Sequence, residues 1–189
     1  KKRYRYTLLS FEKPGRYHEQ GKQIKRLLDQ HHIQWVPMVY HKSPPVLSSL
    51  LDFFLMQKRA AQLHRQNKFA IVHCRSYLPG MVGKWMKRKF GTRFVFDMRG
   101  FWADERVEGG LWNLKNPLFG LIYRFFKKQE KQMVAQADYT ISLTHAAKKI
   151  IHSWQDIPGQ PIPIEVIPCC VDMKLFDPGK IKAEEQDSL

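Results

Sequence analysis

The chain has 189 residues, of which 43% are hydrophobic and 13% aromatic, with a formal net charge of +15. That length suits one α/β domain burying about 70% of the surface its unfolded form would expose, and the apolar content argues against intrinsic disorder over most of the length, with the tail after Pro178 reading as solvated. The positive charge implies attraction to a polyanion such as a phosphorylated sugar, a membrane face or nucleic acid, although its spread along the chain is also what ordinary solvated helix faces give.

In chain order, residues 4–11 form an apolar, β-prone run of strand length, followed by a short helical stripe of Ile24, Leu27 and Leu28. A second strand is predicted over 33–40, and the breaker cluster Ser43, Pro44 and Pro45 caps a helix from Val46 to about Gln66. A third strand over 69–74 precedes the clearest helix, where Leu78, Met81, Val82, Trp85 and Met86 recur at i, i+3, i+4, i+7 and i+8. The strand at 92–98 is followed by a segment, from Arg99 to about Lys115, in which no helical period holds. Strand-to-helix loops typically have about 2 to 6 residues, so a longer one at this edge points to function. Leu118, Leu121, Ile122, Phe125, Gln129 and Met133 mark a longer helix, and strands over 139–143 and 164–167 close the series. Several of these strands are apolar on both faces, as buried parallel strands are. Their alternation with helices implies right-handed crossovers and an open, doubly wound, mainly parallel sheet with helices on both sides. Ligands bind beyond the carboxyl ends of such strands, here just after Phe11, Cys74, Met98 and Leu143.

The loop FDMRGFWADERVEGG, residues 96–110, crowds Asp97, Arg99, Asp104, Glu105, Arg106 and Glu108 around Phe101 and Trp102. Carboxylates and guanidinium groups bond hydroxyls and phosphates, and an aromatic face packs on the apolar side of a sugar ring, so the mixture suits a polyol. The alternative is a surface loop whose charges pair among themselves while Trp102 fills the core. Asp97 and Arg99 favour function because they stand where a parallel strand ends. A second group, His73, Cys74, Arg75, Ser76 and Tyr77, ends another strand. Successive strand residues point to opposite faces, so His73 and Cys74 cannot share one metal without a bulge. His73 is expected in the core, and Arg75 and Ser76 are the ligand candidates.

The chain has no G-x-G-x-x-G, no G-x-x-x-x-G-K-[ST], no G-x-S-x-G and no H-E-x-x-H, which disfavours dinucleotide, P-loop and common hydrolase sites. Its three cysteines, Cys74, Cys169 and Cys170, form no metal spacing and fit a reducing cytoplasm. It has neither a signal-peptide pattern nor an apolar window of about 18 residues. A nucleic-acid module is disfavoured because the aromatics sit at helical core spacings or in one loop, instead of being interleaved with Arg and Lys along strands.

Four blocks, FAIVHCRSYLPGMVG (69–83), FDMRGFWADERVEGGLW (96–112), ADYTISLTHAAKKI (137–150) and IEVIPCCVDMKLFDP (164–178), occur in the order of, and resemble, the amino-terminal domain of family 4 glycosyltransferases. The last is similar to that family's V-I-P-N-G-V-D-x-x-x-F-x-P passage, and the resemblance covers most of residues 6–178. Cys169 and Cys170 stand in place of Asn-Gly, and Asp97, followed by Arg99, stands where many members carry a histidine.

The resemblance implies a Rossmann-like GT-B amino-terminal domain over 1–178, with 179–189 beginning a linker or tail. Residues 4–14 look like the family's second strand, so one βα unit is expected upstream, and no counterpart of the donor-holding carboxyl-terminal domain is present. It further implies a retaining, metal-independent, cofactor-free transferase of polysaccharide or cell-envelope biosynthesis, with a nucleotide-sugar donor and a saccharide or lipid-linked acceptor. The isolated piece is expected to be inactive. Asp97 and Arg99 are the catalytic candidates, Arg75, Ser76, Trp102, Asp104, Glu105 and Arg106 the acceptor-binding ones, and Thr144 and His145 lie near the donor. The alternative is a non-catalytic basic module for sugar, lipid or nucleic acid. Phe53, Phe54, Phe119, Phe125 and Phe126, near Lys58, Arg59, Arg124, Lys127 and Lys128, also predict contact with an anionic membrane surface, which makes the expected location cytoplasmic and peripheral on the inner membrane face.

Overall fold

The computed structural model describes residues 4–171 and Phe176; the expected linker at 179–189 lies outside them. The chain enters through β1 (Tyr6–Glu12), and α1 (Pro14–Gln30) begins on Pro14, whose ring presets a helical φ where its missing N–H has no partner to lose. β2 (Ile33–Val39) then pairs in parallel with β1, Tyr6 opposite Ile33. After α2 (Pro45–Asn67), Lys68 turns the chain in the left-handed region at φ 51°. β3 (Ile71–Arg75) leads to α3 (Tyr77–Phe90), which ends on Gly91 at φ 69°, a conformation cheap only for glycine.

β4 (Arg93–Asp97) is followed by α4 (Trp102–Glu108). Residues 99–115 show no helical period in the sequence, yet α4 lies within them. Seven residues are too few to display a period, but Glu105 N–H reaches the Phe101 carbonyl at 2.9 Å and Ala103 is buried against the core. Gly109 and Gly110 end the helix, Gly110 at φ 72°. The Asn116 side chain accepts from Leu118 N–H at 2.9 Å and caps α5 (Pro117–Gln136). β5 (Tyr139–Ser142), α6 (His145–His152) and β6 (Ile164–Val166) complete the chain.

The mixed α/β architecture, with parallel strands and crossover helices, is the Rossmann-like doubly wound class expected from the alternation. Its ladders fall into two sheets, β1-β2 and β3-β4-β5-β6. Among the described residues β1 and β3 each keep one edge without a ladder partner, and Leu8 and Ile71 on these strands are exposed. In the larger sheet Arg75, Asp97, Ile141 and Glu165 form one row across all four strands.

The two faces of these sheets differ. α1 covers the Ser10–Trp35 face of the strand pair, through the Tyr17 and Trp35 rings 5.7 Å apart. The remaining large helices lie on the other face. There Ala60 of α2 packs with Val82 and Met86 of α3, Leu9 and Val72, and Tyr77, Phe94, Phe96, Met133, Val134 and Ile151 form the main core. α3 reaches the sheet closely because it has glycine at the contact. A Cβ on Gly83 would lie 2.6 Å from the Cys74 sulfur, and one on Gly80 would lie 2.6 Å from Met133 Sδ. Burying one of these phenylalanines contributes about 1.5–3 kcal/mol.

Glu130 is fully buried among these groups and accepts from the Tyr77 hydroxyl and the Lys127 ammonium. Burial outweighs those partners and raises its pKa above the ordinary carboxylate value. On the opposite face of β3-β4-β5-β6, Ile71 and Tyr139 are exposed and the His73 side chain is 55% exposed. That uncovered face positions the site.

Candidate functional site

An open cleft of about 460 Å³ lies where the uncovered sheet face meets the carboxyl ends of the strands. Four consecutive parallel strands build it. His73 and Arg75 come from β3, Asp97 from the last position of β4, Ile141 and Leu143 from β5 and its exit, and 167–170 from the exit of β6. The alternation of β3 explains why His73 and Cys74 part company. Cys74 packs under Gly83 on the core face, where burial pushes its thiol up to about 12 and keeps it protonated. His73 projects into the cleft, with Nε2 3.8 Å from Asp97 Oδ2. The expectation that His73 belongs to the core is therefore corrected. The signal is the same alternation that places Cys74, and residue type alone, which favours a packed histidine, does not say which face is covered.

The backbone around Asp97 is held by specific bonds. The Asp97 carbonyl accepts Ser76 N–H at 2.9 Å, and Met98 N–H reaches the Ile141 carbonyl at 3.0 Å. Ser76 and Arg99 both adopt positive φ, 72° and 63°. Such a conformation in a residue with a Cβ costs on the order of 1–2 kcal/mol, and it concentrates at functional sites. Here the Ser76 turn links the ends of β3 and β4, and the Arg99 turn, closed by Gly100 N–H to the Met98 carbonyl at 2.7 Å, brings the Arg99 guanidinium to 3.5 Å from Cys169 Sγ. Gly100 leaves room for the Glu105 carboxylate, which occupies the place a Cβ would take.

Arg75, Asp97 and Arg99 meet in this cleft, and among the described residues neither arginine has a carboxylate within ion-pair distance. Two unneutralised guanidinium groups and one carboxylate can hold hydroxyls and an anionic group together. Ile141, Leu143, Ile167 and Pro168 supply an apolar floor. Among the described residues no three His, Cys, Asp or Glu side chains group as metal ligands.

The other residues singled out by sequence lie outside the cleft lining. Trp102 joins an aromatic cluster with its ring 4.9 Å from Phe126, 5.3 Å from Trp112 and 5.5 Å from Tyr77, and Arg106 lies over it at 5.0 Å. Asp104 accepts from the Tyr123 hydroxyl and from Lys127, each at 2.7 Å. Burial works against the Lys127 charge, but its bonds to Asp104 and Glu130 prevail and raise its pKa. Glu105 is exposed and rests against Gly100. Ser76 contributes its backbone turn. The Thr144 hydroxyl caps α6 by accepting Ala147 N–H at 3.0 Å, and His145 is the exposed first residue of that helix, beside the cleft in sequence.

A larger open groove of about 590 Å³ runs between α5 and residues 156–158. No strand end reaches it, and two of its lysines are engaged, Lys131 with Asp156 at 2.7 Å and Lys127 with Asp104. Position at the strand ends decides for the smaller cleft.

No match was found among curated proteins. The model of one family, Glycosyltransferase Family 4, matches residues 1–175 and so spans the fold and every residue of the cleft. The chain therefore belongs to Glycosyltransferase Family 4 and is a glycosyltransferase domain.

Proposed function

We propose that this domain provides the acceptor side of a retaining, metal-independent transferase that moves a sugar from a nucleotide-sugar donor to a saccharide or lipid-linked acceptor. The observation that carries the reading is the convergence of Asp97, Arg75 and Arg99 at the carboxyl ends of adjacent parallel strands, with neither guanidinium paired to a carboxylate among the described residues. In this reading Asp97 orients an acceptor hydroxyl, with His73 in reach of the same group, and Arg99 and Arg75 bind hydroxyl or phosphate oxygens. The donor is held by a second domain facing the cleft. The departing nucleoside diphosphate is stabilised by positive groups and helix amino termini aimed at the developing charge. Thr144 and His145, opening α6 beside the cleft, are the donor-side candidates.

The test is a transfer assay with a panel of nucleotide sugars and saccharide or lipid-linked acceptors. The domain alone is expected to transfer nothing. Joined to a donor-binding family domain, it is expected to transfer with retention of anomeric configuration, read by NMR of the product. Transfer by the domain alone contradicts the division of the site, and an inverted product contradicts the mechanism.

A further inference from the structure

We propose that the segment from Leu111 to Lys128 is a docking surface for an anionic lipid bilayer. α5 carries two apolar stripes, where a helix packed on a sheet needs one. Phe126 and Met133 face the core. On the other side Leu118, Leu121 and Phe125, at i, i+3 and i+7, are 58%, 60% and 45% exposed, and Leu111 and Leu114 in the preceding loop are exposed with them. Large apolar side chains gathered on one surface in this way mark an interaction site.

Charge identifies the partner. Between Glu108 and Glu130 the chain has no Asp or Glu, but it has Lys115, Arg124, Lys127 and Lys128. Lys127 is drawn inward to Asp104 and Glu130. Lys115, Arg124 and Lys128 are exposed beside the leucines and have no ion-pair partner among the described residues. A second copy of this chain would bring like charges together there, on a molecule of net charge +15. An anionic bilayer instead accepts the apolar stripe into its interface and pairs the basic flanks with headgroups.

Geometry ties this surface to the cleft. α5 runs antiparallel to the strands, so its amino-terminal half lies at their carboxyl edge, where the cleft opens. α2 runs the same way on the other side of α3, and its amino-terminal half exposes Leu47, Leu50, Leu51 and Phe54 at that edge. The membrane would thus lie beside the mouth of the site. The expected contact with an anionic surface becomes more specific, with Phe126 and Phe53 removed from it because they pack inward. Among the described residues no helix is long and apolar enough to cross a membrane, so the attachment is interfacial.

Flotation of the chain with phosphatidylcholine vesicles, with and without phosphatidylglycerol and at low and high salt, tests the proposal without any transferase assay. Binding is expected only to the phosphatidylglycerol vesicles, because each basic residue near an anionic surface strengthens it about fivefold. Leu118→Ser with Leu121→Ser, and separately Arg124→Gln with Lys128→Gln, are expected to weaken it about tenfold or more at an unchanged melting temperature. Ile71→Ser on the uncovered sheet face is the control and is expected to change nothing. The proposal is overturned by an absence of binding, by an equal loss in Ile71→Ser, by a lowered melting temperature in the double leucine variant, or by a dimer that this variant dissolves.

Discussion

Asp138 and Asp97 sit at opposite ends of the same parallel sheet and are treated in opposite ways. At the amino end, Asp138 accepts Phe94 N–H at 2.7 Å and the Lys87 ammonium at 2.9 Å. Partial burial works against its charge, yet those partners prevail and hold its pKa below the ordinary carboxylate range. At the carboxyl end, among the described residues, the Asp97 carboxylate has His73 as its one ion-pair contact, at 3.8 Å, and the adjacent Arg75 and Arg99 have no carboxylate partner. One end satisfies its charges internally, and the other leaves them available. Substitutions at the two ends should therefore fail in different currencies, stability at one and function at the other.

The largest effect is expected one residue from the cleft. Phe96 precedes Asp97 in β4 but points into the core and is wholly buried. Phe96→Ala is expected to cost about 3–5 kcal/mol in urea denaturation. Half-buried Trp102, an acceptor candidate by sequence, packs on Phe126 and Tyr77, and Trp102→Ala is expected to cost about 2 kcal/mol. A cost below about 0.5 kcal/mol for Trp102→Ala would return that ring to the ligand side.

Asp138→Asn sharpens the comparison through pH. Because the folded pKa is depressed, the stabilisation is present above the unfolded value of about 4 and is lost as pH falls through the lower folded value. The side chain is partly exposed, so the expected deficit of the variant at neutral pH is about 1 kcal/mol. That deficit should shrink in acid. A deficit that is constant from neutral pH to about pH 2 would mean that shape, and not charge, is what Asp138 supplies.

Much of the fold was legible because periodicity reports burial directly. All six strands lie where the apolar, β-prone runs put them, three of the long helices where the i, i+3, i+4 pattern does and α2 where the Ser43-Pro44-Pro45 breaker does, with Asp97 at a strand end as expected. What was not legible depends on which face of the sheet is covered. Residue types along β3 cannot say that only the Cys74 side is packed, so the sequence alone points His73 inward. α4 escaped notice because two turns hold too few residues to show a period, and Asp104 looked available because Lys127 and Tyr123, 23 and 19 residues away, meet it only in three dimensions. Two exposed cysteines at the site, Cys169 and Cys170, depart from the family passage; among the described residues neither adopts a positive φ.

The central claim is that the carboxyl-end charges serve a ligand while the amino-end charges serve the fold. Its most direct test is to measure melting temperature and turnover together for Asp97→Asn, Arg99→Ala and Asp138→Asn in a transferase that joins this domain to a donor-binding family domain. Asp97→Asn and Arg99→Ala are expected to lower turnover about tenfold or more, with melting temperatures within about 2–4 °C of the parent, while Asp138→Asn lowers the melting temperature and leaves specific activity intact. The reverse pattern, stability lost at Asp97 and Arg99 with turnover preserved, would contradict the account.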